Sequence, residues 1–424
     1  MTTIFALSSG APPAAIGVMR ISGPQALAAA QALAGPLPKP RAAVLRALRD
    51  PAGGEMLDRA LLLVFPGPAS ATGEDMVELH LHGGRAVVAA VAAALSRLGL
   101  APAAPGEFTR RALANGRIDL AEAEGLGDLL NAQTEGQRRS ALAAAEGAVS
   151  RAVAGWNDRV LGLSARVEAA LDFSDEDDVD AAGPLSGLRS DLAALASDMR
   201  RVLAAPAVER LHHGVRVVLA GPPNAGKSTL LNVLVEREAA IVSPIAGTTR
   251  DRIDAAVLRD GLAYVLTDTA GLAGETADPI EAIGIARAEK AAAEADIVLW
   301  LGDTAPPYPG ALWLFPRADA RSDEAGARLP VSAHTGEGVA ALWSALAERA
   351  RALLPREDQL ALNARQRDLA RQAMAGIHAA TTDGDLLIVA EELRAARRAL
   401  DAITGAAGTE AMLDALFARF CIGK

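Results

Sequence analysis

A single cysteine, Cys421, stands three residues from the end of the 424-residue sequence. One cysteine excludes an internal disulfide framework. No uninterrupted apolar stretch reaches the roughly 18 residues that a membrane-spanning helix needs. The opening run MTTIFALSSGAPPAAIGVMRISG carries no basic leader, so a cytoplasmic protein with no membrane association is expected. Positive charge is also short. The formal net charge is −10, which speaks against a self-sufficient nucleic-acid binder, because such affinity rests on many phosphate-neutralising cations. Lysine is scarcer still: of 42 basic residues only Lys39, Lys227, Lys290 and Lys424 are lysine, and the rest are arginine. In a chain that uses arginine wherever either cation serves, a retained lysine draws attention.

What is present is ample apolar material, 51% of residues, enough for two to four domains at about 150 residues each. Residues 1–117 read as α+β. IGVMRIS, ALLLVF and DMVELHLHG are short strand-like runs bounded by Gly and Pro, and RAVVAAVAAALSRLGL is a helix that stops near Gly99. From about Ile118 to His212 the chain is Ala-rich and helix-favouring. DFSDEDDVD interrupts it with six acids within Asp172–Asp180; this run reads as a solvated inter-helix loop, with a metal site as the sharper alternative. Residues 213–354 alternate strand and helix, an α/β pattern, and the Asp-Gly pair in VLRDGLAYVL predicts a tight hairpin. Residues 355–424 are helical again. Leu386, Val389, Leu393, Ala396, Leu400 and Ile403 recur at helical spacing, and Met412, Leu413, Leu416, Phe417 and Phe420 form a second stripe. Helical sequence on both sides of an α/β unit predicts that the unit is inserted into a helical domain.

GPPNAGKST, Gly221 to Thr229, follows a strand-like run and opens a helix-favouring one. This is the G-x-x-x-x-G-K-[ST] phosphate loop in the setting it requires. Its backbone N–H groups converge on phosphate oxygens, and the helix N-terminus adds its positive end. Asn224, Ala225, Gly226, Lys227, Ser228 and Thr229 are the candidate phosphate-side residues. Lys227 reaches the terminal phosphates and the Ser228 hydroxyl suits Mg²⁺.

Three further stretches look like those of guanine-nucleotide switches, in the order found in translation-factor-related small GTPases. The first, Ile245, Ala246, Gly247, Thr248 and Thr249, is preceded by Ser243 and Pro244, and Thr249 would supply a second hydroxyl to Mg²⁺. The second is Asp268, Thr269, Ala270 and Gly271, with Asp268 on the metal's water shell. The third, Ser332, Ala333 and His334, opens the loop that would close over the base. One element departs: the N-K-x-D motif is replaced by PRAD, Pro316 to Asp319. Asp319 can still accept from the guanine N–H groups and Arg317 can cover the ring, but Pro316 offers nothing in place of the asparagine side chain. A weaker grip on guanine follows.

With NAGKST, IAGTTRD and DTAG between helical segments, ISGP, TGED…ELHLHGG and GEFTRRALANGRIDL before them, and CIGK at the end, the chain resembles the MnmE (TrmE) family of bacterial and organellar tRNA-modification GTPases over its whole length. The resemblance implies a multi-domain α/β fold. Its parts would be an α+β folate-binding and dimerising N-terminal domain (1–117), a discontinuous helical domain (118–212 and 355–424), and an inserted Ras-like P-loop G domain (213–354) with a mixed, mostly parallel sheet. It implies GTP/GDP with Mg²⁺, and activation by K⁺ held at Asn224, Ser243, Ile245 and Thr248, doing what an arginine finger does elsewhere. Glu281 in IEAIG would orient the attacking water. Arg20, Glu78, Arg117 and Lys424 match positions that bind a tetrahydrofolate derivative (5,10-methylene- or 5-formyl-), with Glu78 on the pterin N–H edge and the cations on its carboxylates or formyl oxygen. The family normally carries lysine where Arg117 stands. A homodimer is implied. So is a heterotetramer or larger complex with the FAD-containing MnmG (GidA), which together add an aminomethyl-type group to C5 of the wobble uridine of certain tRNAs. Cys421 would place a thiol at that chemistry, and a nucleophilic role for it is a hypothesis.

Two other readings remain open on sequence grounds. A regulatory GTPase of ribosome assembly would use the same G domain without modification chemistry. A metal enzyme would use His80 and His82, which share one face of a strand as an H-x-H pair; alternatively His82 shapes the Gly83–Gly84 turn.

Overall fold

A computed structural model of the chain describes residues 2–172, 185–236, 254–269, 289–322, 324–356, 359–405, 410–418 and 420–423. Two compact units emerge. The first comprises Met1–Gly127, Ala144–Ala154 and Asp401–Lys424; the second comprises Asp128–Ala143 and Gly155–Leu400.

The first unit is built on a six-stranded sheet of order β3-β4-β5-β2-β1-β6, from β1 (Ile4–Leu7), β2 (Ile16–Ser22), β3 (Val44–Arg49), β4 (Met56–Phe65), β5 (Met76–His82) and β6 (Ala101–Pro102). All neighbours are antiparallel except β1 and β6. Strand alternation sorts the two faces. Met19, Ile21, Leu62, Val64, Val77, Leu79 and Leu81 point into a core completed by α1 (Ala26–Ala34) and α2 (Arg85–Arg97). Each such buried aliphatic side chain contributes roughly 1.5–3 kcal/mol, which makes a one-residue register slip prohibitive. The alternate residues, Arg20, Glu78 and His80 among them, are thereby held on the opposite, half-exposed face. Three strands were not among the sequence-derived runs. VLRALR of β3 is composed of good helix formers and is drawn into the sheet by pairing with β4, while β1 and β6 are too short to show a period.

The same unit contains α3 (Glu107–Ala114), most of α4 (Leu120–Asn131) and α13 (Glu410–Phe417). Phe417 and Phe420 are buried against Ala123, with Leu113, Ile118, Leu126, Leu413 and Leu416 around them. Part of the predicted terminal stripe is therefore an internal core.

The second unit carries a sheet of order β12-β11-β10-β7-β9-β8, from β7 (Val215–Ala220), β8 (Asp254–Arg259), β9 (Leu262–Asp268), β10 (Ile297–Trp300), β11 (Leu312–Pro316) and β12 (Leu329–Val331). It is parallel except for the β8–β9 hairpin. That hairpin turns at Asp260 and Gly261, both in the left-handed region (φ 50° and 76°), as a two-residue Asp-Gly connection requires. The strands share a core with α9 (Lys227–Glu236) and α10 (Val339–Leu353), where Tyr264 meets Trp343 edge-on at 5.3 Å. The helices are α5 (Glu135–Ala145), α6 (Ala148–Asp172), α7 (Leu188–Leu203) and α8 (Glu209–His213) before the sheet, and α11 (Ala364–Thr382) and α12 (Leu386–Thr404) after it. Helices from the two sides meet: α7 packs on α11, and Arg394 of α12 pairs with Glu168 of α6 at 2.6 Å. An Asn363–Gln366 capping box starts α11, and Val389, Leu393, Ala396, Leu400 and Ile403 of α12 are buried as their spacing predicts. No described helix is long and apolar enough to cross a membrane.

Candidate functional site

The nucleotide-type site lies at the C-terminal ends of β7 and β9. β7 runs straight into the phosphate loop, where Asn224 and Gly226 take φ of 60° and 93°. Two left-handed residues in one short turn direct successive N–H groups to one side, forming an anion-binding nest. Lys227 is the first residue of α9, and its side chain is buried rather than extended into water. Its Nζ donates to the carbonyls of Gly221 (3.0 Å) and Pro222 (2.9 Å). Burial pushes its pKa down, and the Asp268 carboxylate opposes that shift. An ammonium satisfied only by carbonyl dipoles would gain from a phosphate partner. Next to it, Ser228 Oγ donates to Asp268 Oδ2. Asp268 ends β9 and is 3% exposed, and Thr269 Oγ1 is tied to the Leu219 carbonyl at 2.8 Å. A hydroxyl and a carboxylate side by side beneath a phosphate loop form the hard-oxygen set that suits Mg²⁺.

The base side is formed by the ends of β11 and β12. Ser332 is fully buried and folds its own loop: its Oγ accepts from Thr335 N (3.0 Å) and its N donates to the Glu337 carbonyl (2.9 Å). A hydrogen bond from Ser332, followed by lesser effects including the charge of His334, holds the Asp319 carboxyl below its ordinary range. Asp319 thus offers a carboxylate acceptor just beyond the end of β11. Arg317 does more than its place in the motif predicted. From a left-handed backbone (φ 57°) it extends Nη2 to the Asn224 carbonyl at 2.7 Å, bracing the base loop against the phosphate loop. Arg317→Ala is expected to weaken GDP binding about tenfold in calorimetry, the net worth of one charge-assisted hydrogen bond; unchanged affinity would dismiss the brace. ATP binding as tightly as GTP would dismiss guanine selection by Asp319.

Ser243, Pro244, Ile245, Ala246, Gly247, Thr248 and Thr249 of the first switch lie outside the described residues, as do Ala270, Gly271, Glu281, Lys424 and all of the acidic run after Asp172.

In the first unit, β2 and β5 place Arg20 directly opposite Glu78. Arg20 donates from Nε (3.1 Å) and Nη2 (2.8 Å) to Glu78 Oε1, while Glu78 Oε2 faces His80 Nε2 at 3.4 Å. Glu78 and Arg20, expected to meet separate parts of a ligand, thus already meet each other. Arg117 follows α3 and its N closes that helix on the Ala112 carbonyl (2.8 Å); its side chain is exposed. His82 leads from β5 into the Gly83–Gly84 turn and is anchored to β4. Its N and Nδ1 bind the Asp58 carboxylate at 2.8 and 2.7 Å, and Ala14 N donates to the Gly83 carbonyl (3.0 Å). His80 and His82 share a face, yet no cluster of three or more His, Cys, Asp or Glu suited to a metal occurs among the described residues.

The C-terminal tail is docked. Ile422 forms an antiparallel bridge with Pro105. Gly423 adopts φ 95° where an added Cβ would lie 2.5 Å from the Leu7 carbonyl, so only glycine fits this left-handed close approach. Cys421, just before the bridge, is exposed. The resemblance implies that the tail returns to the folate site, with Lys424 as a ligand; that it docks through Pro105 was not legible from the sequence, because the bridge joins residues over 300 positions apart.

Known proteins match this chain end to end. The family model for the MnmE helical domain matches residues 120–421, and that for the GTP-binding protein TrmE N-terminus matches residues 3–117. The tRNA modification GTPase MnmE of Rhizorhabdus wittichii is 59% identical, covering 100% of this chain and 96% of its own. Its namesakes from Erythrobacter litoralis and Novosphingobium aromaticivorans are 57% and 56% identical, each covering 100% of this chain, and 100% and 99% of their own. On the strength of whole-length identity of 56% to 59%, with the two family models matching consecutive parts of the chain, it belongs to the MnmE family of tRNA modification GTPases.

Proposed function

We propose that the chain hydrolyses GTP in a K⁺-dependent manner and, together with an FAD-containing MnmG-type partner, joins a tetrahydrofolate one-carbon unit and the nitrogen of an amine co-substrate to C5 of the wobble uridine of certain tRNAs, giving an aminomethyl group, or a carboxymethylaminomethyl group where the amine carries a carboxymethyl substituent. The observation that carries the GTPase half is the cluster Lys227–Ser228–Asp268 under a phosphate loop with two left-handed residues. In this reading residues 213–354 are a G domain inserted into a helical domain of 118–212 and 355–424, and residues 1–117 form a folate-binding, dimerising domain.

Lys227 exchanges its two carbonyl partners for β- and γ-phosphate oxygens and so draws charge from the leaving diphosphate. Ser228 and Thr249, with Asp268 beside them, would hold Mg²⁺, which would neutralise phosphate charge there. Asn224, Ser243, Ile245 and Thr248 would hold K⁺, which would supply the positive charge that an arginine finger supplies elsewhere. Glu281 orients the attacking water. Asp319 accepts from the guanine N–H edge and Arg317 covers the ring while bracing the phosphate loop.

In the folate-type domain, Arg20, Glu78, Arg117 and Lys424 would bind the tetrahydrofolate derivative, which would supply the transferred carbon. Because Glu78 Oε1 is engaged by Arg20, its Oε2 is the oxygen free to turn from His80 toward a pterin N–H. Family membership favours modification over a ribosome-assembly switch, which needs no docked cysteine tail. Purified protein is expected to hydrolyse GTP at least about tenfold faster in K⁺ than in Na⁺, as a transition-state charge stabiliser worth more than 1.4 kcal/mol would provide. Equal rates would remove the potassium reading. Unchanged wobble uridines by mass spectrometry in a deletion strain would remove the modification reading.

A further inference from the structure

A network of buried polar groups in the first unit centres on α3. Arg111 of α3 is 8% exposed. Its Nη1 donates to Glu74 Oε1 (3.2 Å) and Oε2 (3.1 Å), and its Nη2 to Glu107 Oε1 (2.8 Å). Glu74 Oε2 also accepts from the fully buried Ser22 hydroxyl at 2.7 Å, and Ser22 Oγ lies 2.7 Å from Thr72 Oγ1. Glu107 Oε2 accepts from Ala104 N at 2.8 Å. One guanidinium is thus the common partner of two carboxylates that reach three separate segments.

Each of those segments leads to a candidate ligand residue. Ser22 ends β2, two residues after Arg20 and on the same face. Glu74 belongs to the turn Thr72–Asp75, whose Gly73 has φ 78° and lies so close to Asn115 and Arg117 that an added Cβ would be 2.8 Å from Asn115 Cβ and 3.2 Å from Arg117 Cγ. Asn115 Nδ2 fastens the same turn through the Thr72 carbonyl (2.7 Å). Ala104 adjoins Pro105, the residue bridged to Ile422 of the tail. TGED and GEFTRRALANGR, which the sequence offered only as family-like stretches, are the two halves of this network.

We infer that Arg111 is a positioning residue for the tetrahydrofolate-type site: through Glu74 and Glu107 it sets the relative placement of Arg20, Arg117 and the docked tail without touching the ligand. A planar fork can serve two carboxylates at once, and an ammonium at the same position cannot reproduce that geometry. This rests on the folate reading of the first unit.

The test is Arg111→Lys in the full-length protein, which keeps the buried charge and removes the fork. The dissociation constant for 5-formyl-tetrahydrofolate is expected to rise at least tenfold. Hydrogen exchange of the C-terminal peptide containing Ile422 should accelerate at least tenfold, while GTP hydrolysis stays within twofold of wild type. Ala114→Gly, which loosens the same helix through its backbone alone, should leave affinity and exchange unchanged. Wild-type affinity and exchange in Arg111→Lys, or equal changes in Ala114→Gly, would overturn the inference. If the wild-type protein binds no tetrahydrofolate, the folate reading itself fails, and an unaltered exchange rate in Arg111→Lys would then sink the hub separately.

Discussion

Lys227→Ala is expected to lower GTP hydrolysis by about two to three orders of magnitude, the usual cost of removing a preorganised charge from a transition state. The size follows from where the lysine sits. Its Nζ is enclosed at the mouth of the phosphate loop and held by two carbonyls 5 and 6 positions back in the chain. Such a group is already desolvated and aimed, so charge developing on the phosphates meets it with little reorganisation. Arginine is not expected to rescue: the longer, planar guanidinium cannot sit between the Gly221 and Pro222 carbonyls without opening the turn. Phosphate release measured at saturating GTP, with thermal melting as a folding control, reads the effect. A variant within tenfold of wild type would show that the ammonium only binds and does not assist the chemistry.

Cys421→Ser is expected to abolish wobble-uridine modification while leaving GTP hydrolysis within twofold. The thiol is exposed, so its replacement by a hydroxyl leaves no cavity and disturbs no core, and a loss of modification would report chemistry rather than folding. A thiolate is far more accessible at neutral pH than an alkoxide. The tail's docking supplies the second arm. Gly423→Ala drives a Cβ to within 2.5 Å of the Leu7 carbonyl, so the bridge of Ile422 to Pro105 must open. The loss of modification should therefore recur with the cysteine intact. Nucleoside mass spectrometry on tRNA from complemented deletion strains measures both. Full modification by Cys421→Ser would return the sulfur to a packing role, and full modification by Gly423→Ala would show that docking is dispensable.

The two variants are complementary. Lys227→Ala removes a charge in the second unit, and Cys421→Ser removes a thiol in the first. Together they separate nucleotide hydrolysis from modification chemistry in one chain.

Much of this is legible in the residues themselves. The phosphate loop, the Asp260–Gly261 hairpin and the α12 stripe depend on residue types within a few positions of one another. Backbone conformation and helical period are local properties, so composition and spacing determine them. The scarcity of lysine did the same for Lys227, marking it as a position where arginine had not been substituted. What only the tertiary structure decided are pairings between distant segments. Arg20 and Glu78 are 58 positions apart and engage each other. Arg317 reaches Asn224 across 93 positions. Arg111 finds Glu74 across 37, and Ile422 finds Pro105 across more than 300. Nothing near any of these residues in sequence names its partner. The partner is chosen by the route of the chain between them, by strand register in the first case and by how turns and helices close in the others. β3 makes the same point in reverse: its residues favour helix, and the sheet beside it decides otherwise.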